Sequence, residues 1–351
     1  MRKIDDEIQA LLSVHRGDIR SILKDNHRLD LLYALSSQRE LLLEWYDFEP
    51  EAEVLQVGAD YGALTGLLRS SVSAVTVLDD TESALETVRQ RYPGAANIHY
   101  HKDSLTGYAA EACAEGKKYD YVIFAGTLTA PYEDHIHAAK ALLKPEGILI
   151  VASANALGMK YFAGTVEEEN ALTKRQLMEL LCGDKENQSM AEENGALKFY
   201  YPMPDYKTPV SIYSDAYLPK KGDLTRVTPA YDYPPYHMME QGEKFDTVCE
   251  AGLFDLYANS YLVFWSADPK QLQKEDERIF MKYNKTRREE FQIKTCICER
   301  NAAGAETGNK ERYVEKAALS LEPEQQVWRL RKKRLEPAQQ TRRSATSRRP
   351  P

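Results

Sequence analysis

The chain has 351 residues, 43% apolar and 28% charged, which excludes wholesale disorder and collagen-like repeats and allows one large domain or two modest ones. Its net charge of −8 hides an asymmetry: residues 329–351 hold nine Lys or Arg and one Glu, so that segment carries +8 and the remainder −16. An acidic body argues against nucleic acid as a partner, and the basic end reads as a solvated, disordered tail or as a contact for an acidic partner.

The longest apolar runs, Gly147–Ala154 and Tyr261–Ala267, fall well short of the roughly 20 residues a membrane helix needs. Met1–Asp6 is charged and lacks a signal-peptide core. Five cysteines, at 113, 182, 249, 296 and 298, form no zinc pattern, and their odd number argues against a disulfide framework. A cytoplasmic protein with free thiols and no membrane span is expected.

In chain order, residues 4–46 read as helices, with Ile8, Leu11, Leu12, Leu29, Leu31, Leu32 and Leu41–Leu43 near the 3.6 period. They form a predicted N-terminal helical cap, residues 1–49. From Val54 short apolar runs alternate with helical stretches. The runs are Val54–Val57, Ala74–Leu78, Ile98–Tyr100, Tyr119–Phe124 and Ile148–Val151. This is the pattern of a parallel sheet covered by helices. Leu172–Leu181 adds a helix, and Ala196–Tyr201 and Ser260–Trp265 add two strands. Residues 200–240 hold seven of the 16 prolines and eight of the 22 tyrosines. Such density predicts a long ordered loop rather than helix or central strand. After Asp268–Pro269, Phe291–Cys298 and Arg312–Ala318 read as two more strands. They faintly resemble the start of a kinase-like small lobe, with Lys316 at the phosphate-binding position, but no catalytic loop follows.

The segment carrying most chemistry is Val54-Leu-Gln-Val-Gly58-Ala-Asp-Tyr-Gly62: a buried strand, a glycine turn, then a helix. Gly58 permits the turn, and Gly62 permits a ligand to approach the helix N-terminus. The same pattern serves as a plain strand–helix connection. The next strand ends in Asp79–Asp80. Asp79 is placed to accept from ribose hydroxyls and Asp80 to cap the following helix. A third strand ends in Asp103–Ser104, placed where an adenine amino group could be met. A fourth, Tyr119–Phe124, opens into the small-residue loop Gly126-Thr-Leu128. A fifth signal is Leu142-Leu-Lys-Pro-Glu-Gly147-Ile, a helix end and turn before a strand.

In this order and spacing the five segments resemble the class I S-adenosylmethionine-dependent methyltransferases. The resemblance implies an α/β, Rossmann-like fold: a seven-stranded sheet with its last strand antiparallel, carrying the N-terminal helical cap and a small C-terminal β-rich appendage. It implies a methyltransferase domain over 50–268 with an acceptor-side insertion at 200–258, the appendage at 269–328 and the tail at 329–351. The cofactor implied is S-adenosyl-L-methionine, held by Gln56, Gly58, Asp60, Gly62, Asp79, Asp103, Ser104 and Gly126. Two departures stand out. Gln56 replaces the family's acid, and Asp60 stands where a middle glycine is usual; it either pairs with the cofactor's ammonium or caps the helix.

Asn155–Gly164 and Phe199–Pro209 further resemble a bacterial subfamily associated with surface-polysaccharide glycosyltransferases. That likeness implies O-methylation of a sugar or related small molecule in envelope polysaccharide synthesis, with a glycan acceptor and a glycosyltransferase partner. A hydroxyl acceptor needs a general base. Asp205, His237 and Tyr161 are the candidates, each also readable as structural. The tyrosines at 200, 201, 206, 213, 217, 231, 233 and 236 read either as a stacking wall for a sugar or as the loop's own packing. No metal is expected. Two other functions remain open: a non-catalytic scaffold of the same fold, and an NAD-dependent oxidoreductase.

Overall fold

A computed structural model describes residues 3–183, 195–225, 238–273, 277–285, 291–301, 310–319 and 333–334. Three helices lead: α1 (Lys3–Val14), α2 (Ile19–Asp25) and α3 (Leu29–Leu35), followed by a 3-10 turn, Ser37–Leu42. Then strand and helix alternate: β1 (Glu53–Val57), α4 (Thr65–Ser71), β2 (Ala74–Asp79), α5 (Glu82–Arg91), β3 (Ile98–Lys102), α6 (Leu105–Ala114), β4 (Tyr119–Ala125), α7 (Tyr132–Ala141) and β5 (Leu143–Ala154). Short helix α8 (Met159–Phe162) and α9 (Lys174–Cys182) precede β6 (Ala196–Met203) and β7 (Ser211–Ser214). Helices α10 (Gln241–Glu250) and α11 (Phe254–Tyr257) lead into β8 (Ser260–Ser266). Strands β9 (Glu277–Asn284), β10 (Ile293–Asn301), β11 (Lys310–Ala318) and the two-residue β12 (Lys333–Arg334) follow.

All strands join one mixed sheet, in the order β12-β11-β10-β9-β7-β6-β8-β5-β4-β1-β2-β3. Strands β1 to β5 pair in parallel. Strand β8 is antiparallel to both β5 and β6. The expected seven strands are therefore there, as β3-β2-β1-β4-β5-β8-β6, but the sheet does not stop at seven. The free edge of β6 takes up β7, and β9, β10 and β11 continue antiparallel from it. The strands expected as an appendage extend the same sheet to eleven before β12. Their core continues the main one: Ile212, Met281, Tyr283, Cys296, Cys298 and Tyr313 pack in one cluster with Val54, Val75 and Ile150. Lys316 is exposed on β11.

The predicted loop over 200–240 also needs correction. Tyr200–Met203 end an interior strand, and Pro202 is tolerated because β8 pairs with β6 only as far as Tyr200. Tyr200, Tyr201 and Tyr213 are buried in the core rather than exposed as a wall, while Tyr206, also buried, borders a cavity. Tyr231, Tyr233 and Tyr236 lie outside the described residues. The Pro–Gly turn at 144–147 sits inside β5 as a bulge, where pairing with β4 jumps from Tyr119↔Leu143 to Tyr121↔Ile148.

The cap has its own small core, in which Ile8, Leu12, Ile22, Leu31 and Leu35 are buried. It is tied to helix α5 by hydrogen bonds. Arg91 donates to the carbonyls of Leu35 (2.9 Å) and Tyr61 (2.9 Å), and Gln9 Nε2 donates to Ser83 O at 2.7 Å. Beyond it Trp45, Tyr46 and Phe48 lie against Tyr121, Tyr200 and Phe264 on one sheet face. Each such buried aromatic adds about 1.5–3 kcal/mol by leaving water. No helix among the described residues is long and apolar enough to cross a membrane.

Candidate functional site

A cavity of about 820 Å³ opens at the carboxyl ends of β1 to β4. That is where open parallel sheets hold ligands. Gly58 and Asp60 after β1, Asp79 after β2, Asp103 and Ser104 after β3 and Gly126 after β4 all line it. Four segments far apart in sequence thus meet around one space; the fifth signal, Leu142–Ile148, does not reach it.

The turn after β1 is held tightly. Gly58 has φ +86°, and a Cβ there would lie 2.5 Å from Thr127 Cγ2. Both the dihedral and the close approach of Thr127 demand glycine. Thr127 Oγ1 in turn donates to Val57 O at 2.5 Å. Ala59 N donates to Asp79 Oδ2 at 2.9 Å, which joins the β1 and β2 corners. Asp79 Oδ1 accepts from Thr81 N (2.9 Å) and Thr81 Oγ1 (2.8 Å). Three of the roughly four acceptor positions of that carboxylate are thereby used. It is Asp79, not Asp80, that holds the start of α5; Asp80 is exposed at the cavity wall. Ser104 caps α6 by accepting from Gly107 N at 3.1 Å.

Two expected cofactor residues do not line the cavity. Gln56 is buried, donates to the carbonyls of Gly58 (3.1 Å) and Ala59 (3.4 Å), and accepts from Thr65 Oγ1 at 2.8 Å. It fixes the shape of the turn from beneath. Gly62 has φ +71° and sits against Tyr92, whose hydroxyl donates to the Gly62 carbonyl at 2.9 Å. Asp60 is ion-paired with Arg39, a buried arginine from the N-terminal segment. That pairing is neither of the two roles expected for Asp60.

The charge of the cavity decides what it can hold. Asp5, Asp60, Asp79, Asp80 and Asp103 line it, and among the described residues no lysine or arginine does, although Arg39 pairs with Asp60 from the neighbouring side. Such a wall favours a cationic ligand and repels a pyrophosphate. S-adenosylmethionine, with its sulfonium and ammonium, fits this wall.

A second cavity of about 570 Å³ adjoins the first and shares Asp60, Gly126 and Asn170 with it. Its far wall is an ion network. Lys160 Nζ lies 2.6 Å from Asp205 and 2.8 Å from Glu168, and Lys207 Nζ lies 3.0 Å from Glu168. Tyr206 donates to Glu168 Oε2 at 3.3 Å. Burial pushes the Glu168 carboxyl up, but the two ammonium groups outweigh it and hold it below its ordinary value. Burial alone would lower Lys160, yet Asp205 and Glu168 raise it well above its ordinary value. Burial also lifts the Tyr161 hydroxyl, to about 12.

Among the residues proposed from sequence as bases, Asp205 is fully buried against Lys160, and neither Asp205 nor Tyr161 lines either cavity. His237 lies outside the described residues. Glu168, Lys207, Arg39 and Asn170 do line the second cavity, and sequence reading missed all four. Only Glu168 left a trace, as one of the acids in Glu167-Glu-Glu169 between a helix and a strand.

No protein-family model matches the sequence, and no curated protein matches it. Solved structures do resemble it. A methyltransferase from Thermotoga maritima is 14% identical, with a TM-score of 0.41, over 70% of this chain and 96% of that one. An N-methyltransferase from Bradyrhizobium japonicum, solved with S-adenosylhomocysteine, is 19% identical, with a TM-score of 0.31, over 42% of this chain and 72% of that one. A methyltransferase from Methanosarcina mazei is 14% identical, with a TM-score of 0.31, over 38% and 79%.

Proposed function

We propose that the chain is an S-adenosylmethionine-dependent methyltransferase whose acceptor enters the second cavity. The observation that carries this reading is the five-aspartate wall at the carboxyl ends of the parallel strands. Asp79 would accept from a ribose hydroxyl, with Thr81 turning its hydroxyl away to free a second position. Asp103 and Ser104 would face the adenine, and the Gly58–Asp60 turn the methionine part. The bound cofactor supplies an activated methyl group, so the chain needs to align the acceptor and take its proton. Holding the two in line can contribute several kcal/mol.

The acceptor we propose is a polar small molecule of the sugar class, methylated on oxygen. The second cavity is lined by Arg39, Glu168, Glu169, Asn170 and Lys207, which suit hydroxyl groups. Glu168 takes the place of Asp205 and Tyr161 as the group that receives the proton, because it reaches the cavity and stays ionised. The two segments that resemble the polysaccharide-associated subfamily meet here, through the Lys160–Asp205 pair. The sequence resemblance of these segments, and not their contact, is what points to an envelope-glycan setting with a glycosyltransferase partner.

One observation favours the scaffold reading instead. Thr127 stands over Gly58 and the Tyr206 ring over Gly126, where the methionine end would lie. Calorimetric titration separates the readings. The methyltransferase binds S-adenosylhomocysteine and not NAD; a chain that binds neither is a scaffold, and one that binds only NAD is an oxidoreductase.

A further inference from the structure

We infer that the corner between β3 and α6 is a binding site for a divalent transition-metal cation, held by His101, Asp103 and Glu111. One ligand atom from each lies within 4.8 Å of the others. The three come together for a plain geometric reason. His101 and Asp103 are two residues apart at the end of an extended strand, so they leave it on one side. Glu111 stands on α6 four residues after Gly107, on the same helix face.

Gly107 is what lets the carboxylate settle there. A Cβ at that position would lie 2.7 and 2.8 Å from the two oxygens of Asp103. The missing side chain leaves a hollow that the Asp103 carboxylate fills, one turn of helix from Glu111. The imidazole of His101 is held against the Tyr108 ring, with centroids 4.5 Å apart. Asp103 Oδ1 accepts from Ser104 N at 2.7 Å, which fixes the carboxylate and leaves Oδ2 open.

The charges are unbalanced as they stand. Two carboxylates approach each other, yet neither is ion-paired to a lysine or arginine among the described residues. A cation between them supplies the charge the corner lacks. One imidazole nitrogen and two carboxylate oxygens form a mixed set that suits Zn²⁺, with water completing the shell, and suits Mg²⁺ and Ca²⁺ less well. A metal here would pin the corner that carries Asp103 to the first cavity. The inference does not depend on the methyltransferase reading.

The experiment is a calorimetric titration of the chelator-treated chain with ZnCl₂ at pH 7.5, alongside thermal melts. The expected result is one Zn²⁺ per chain and a melting temperature that rises with Zn²⁺. His101→Ala and Glu111→Gln should each weaken binding about tenfold or more. Both should melt like the parent in EDTA, since the two side chains are half-buried and exposed. The inference is overturned if the parent takes up no Zn²⁺. It is equally overturned if uptake survives both substitutions, which would assign the metal to the cysteines.

Discussion

The two cavities meet at Asp60 and Gly126, yet they handle charge in opposite ways. The first has a wall of five aspartates among the described residues, of which only Asp60 is ion-paired, to Arg39. The second has carboxylates and ammonium groups already paired with one another. An unbalanced wall is poor for stability and good for drawing in a ligand of the opposite sign. A balanced network does the reverse: it fixes a shape and leaves little net field. On the proposed reading, the first cavity captures the charged cofactor and the second positions a polar acceptor. It also explains why Asp205, an acid in a promising segment, is not free to act. Its charge is spent on Lys160.

The contrast is broken most directly at Lys160. Lys160→Ala would leave Asp205 and Glu168 without their shared partner, and Asp205 has no access to water. Stability should fall by about 3–5 kcal/mol, the usual cost of orphaning a buried charge. Denaturant unfolding measures it; a loss under about 1 kcal/mol would show that the network is only loosely packed.

The first cavity responds through affinity. Asp79→Ala should weaken S-adenosylhomocysteine by about 1–3 kcal/mol, the cost of leaving ribose hydroxyls unpaired. It should also loosen the turn, because Ala59 N and Thr81 N lose their acceptor. Thr81→Val offers a sharper test. It removes the hydroxyl that occupies Asp79 and should leave affinity unchanged or improved.

A pH titration separates the two walls further. Glu168 titrates below its ordinary value of 4.5 in the folded chain. A depressed carboxyl stabilises the fold fully above its unfolded value and loses that contribution as pH falls through the folded value. Stability should therefore drop below about pH 4.5, and Glu168→Gln should flatten part of that slope. Parallel curves for parent and variant would mean that the lysines do not hold Glu168 ionised.

How much of this was legible follows from which signals are local. The parallel strands and the Gly58, Asp79 and Asp103 corners each announce themselves within a few residues, and all line the first cavity. Strand β9 was legible in principle: Ile279, Met281 and Tyr283 alternate with Arg278, Phe280 and Lys282, and the former three are buried. Strand β7 was not. Four residues between proline-rich stretches carry no period of their own, and only pairing with β6 and β9 makes them a strand. The second cavity was hidden for the same reason. Arg39, Glu168 and Lys207 lie far apart in sequence, and no spacing links them. Gln56 read as a ligand because its place in the motif is a ligand's place. Its amide instead turns to the carbonyls of Gly58 and Ala59.

The smallest expected effect is at Asp80, next to Asp79. It is exposed at the cavity wall, so it acts on a bound cation only through space. Water around an exposed carboxylate screens it, and at a few ångströms such a charge contributes about 0.2–1 kcal/mol. Asp80→Asn should therefore weaken S-adenosylmethionine by less than about 0.5 kcal/mol at low salt. The difference should vanish near 1 M salt, where the screening length falls to about 3 Å. The neutral sulfur of S-adenosylhomocysteine makes the natural control, because it lacks the sulfonium charge and should feel the substitution less. If Asp80→Asn costs as much as Asp79→Ala, and the cost survives high salt, then Asp80 contacts the ligand directly and the division of labour at the end of β2 is the reverse of the one drawn from its hydrogen bonds.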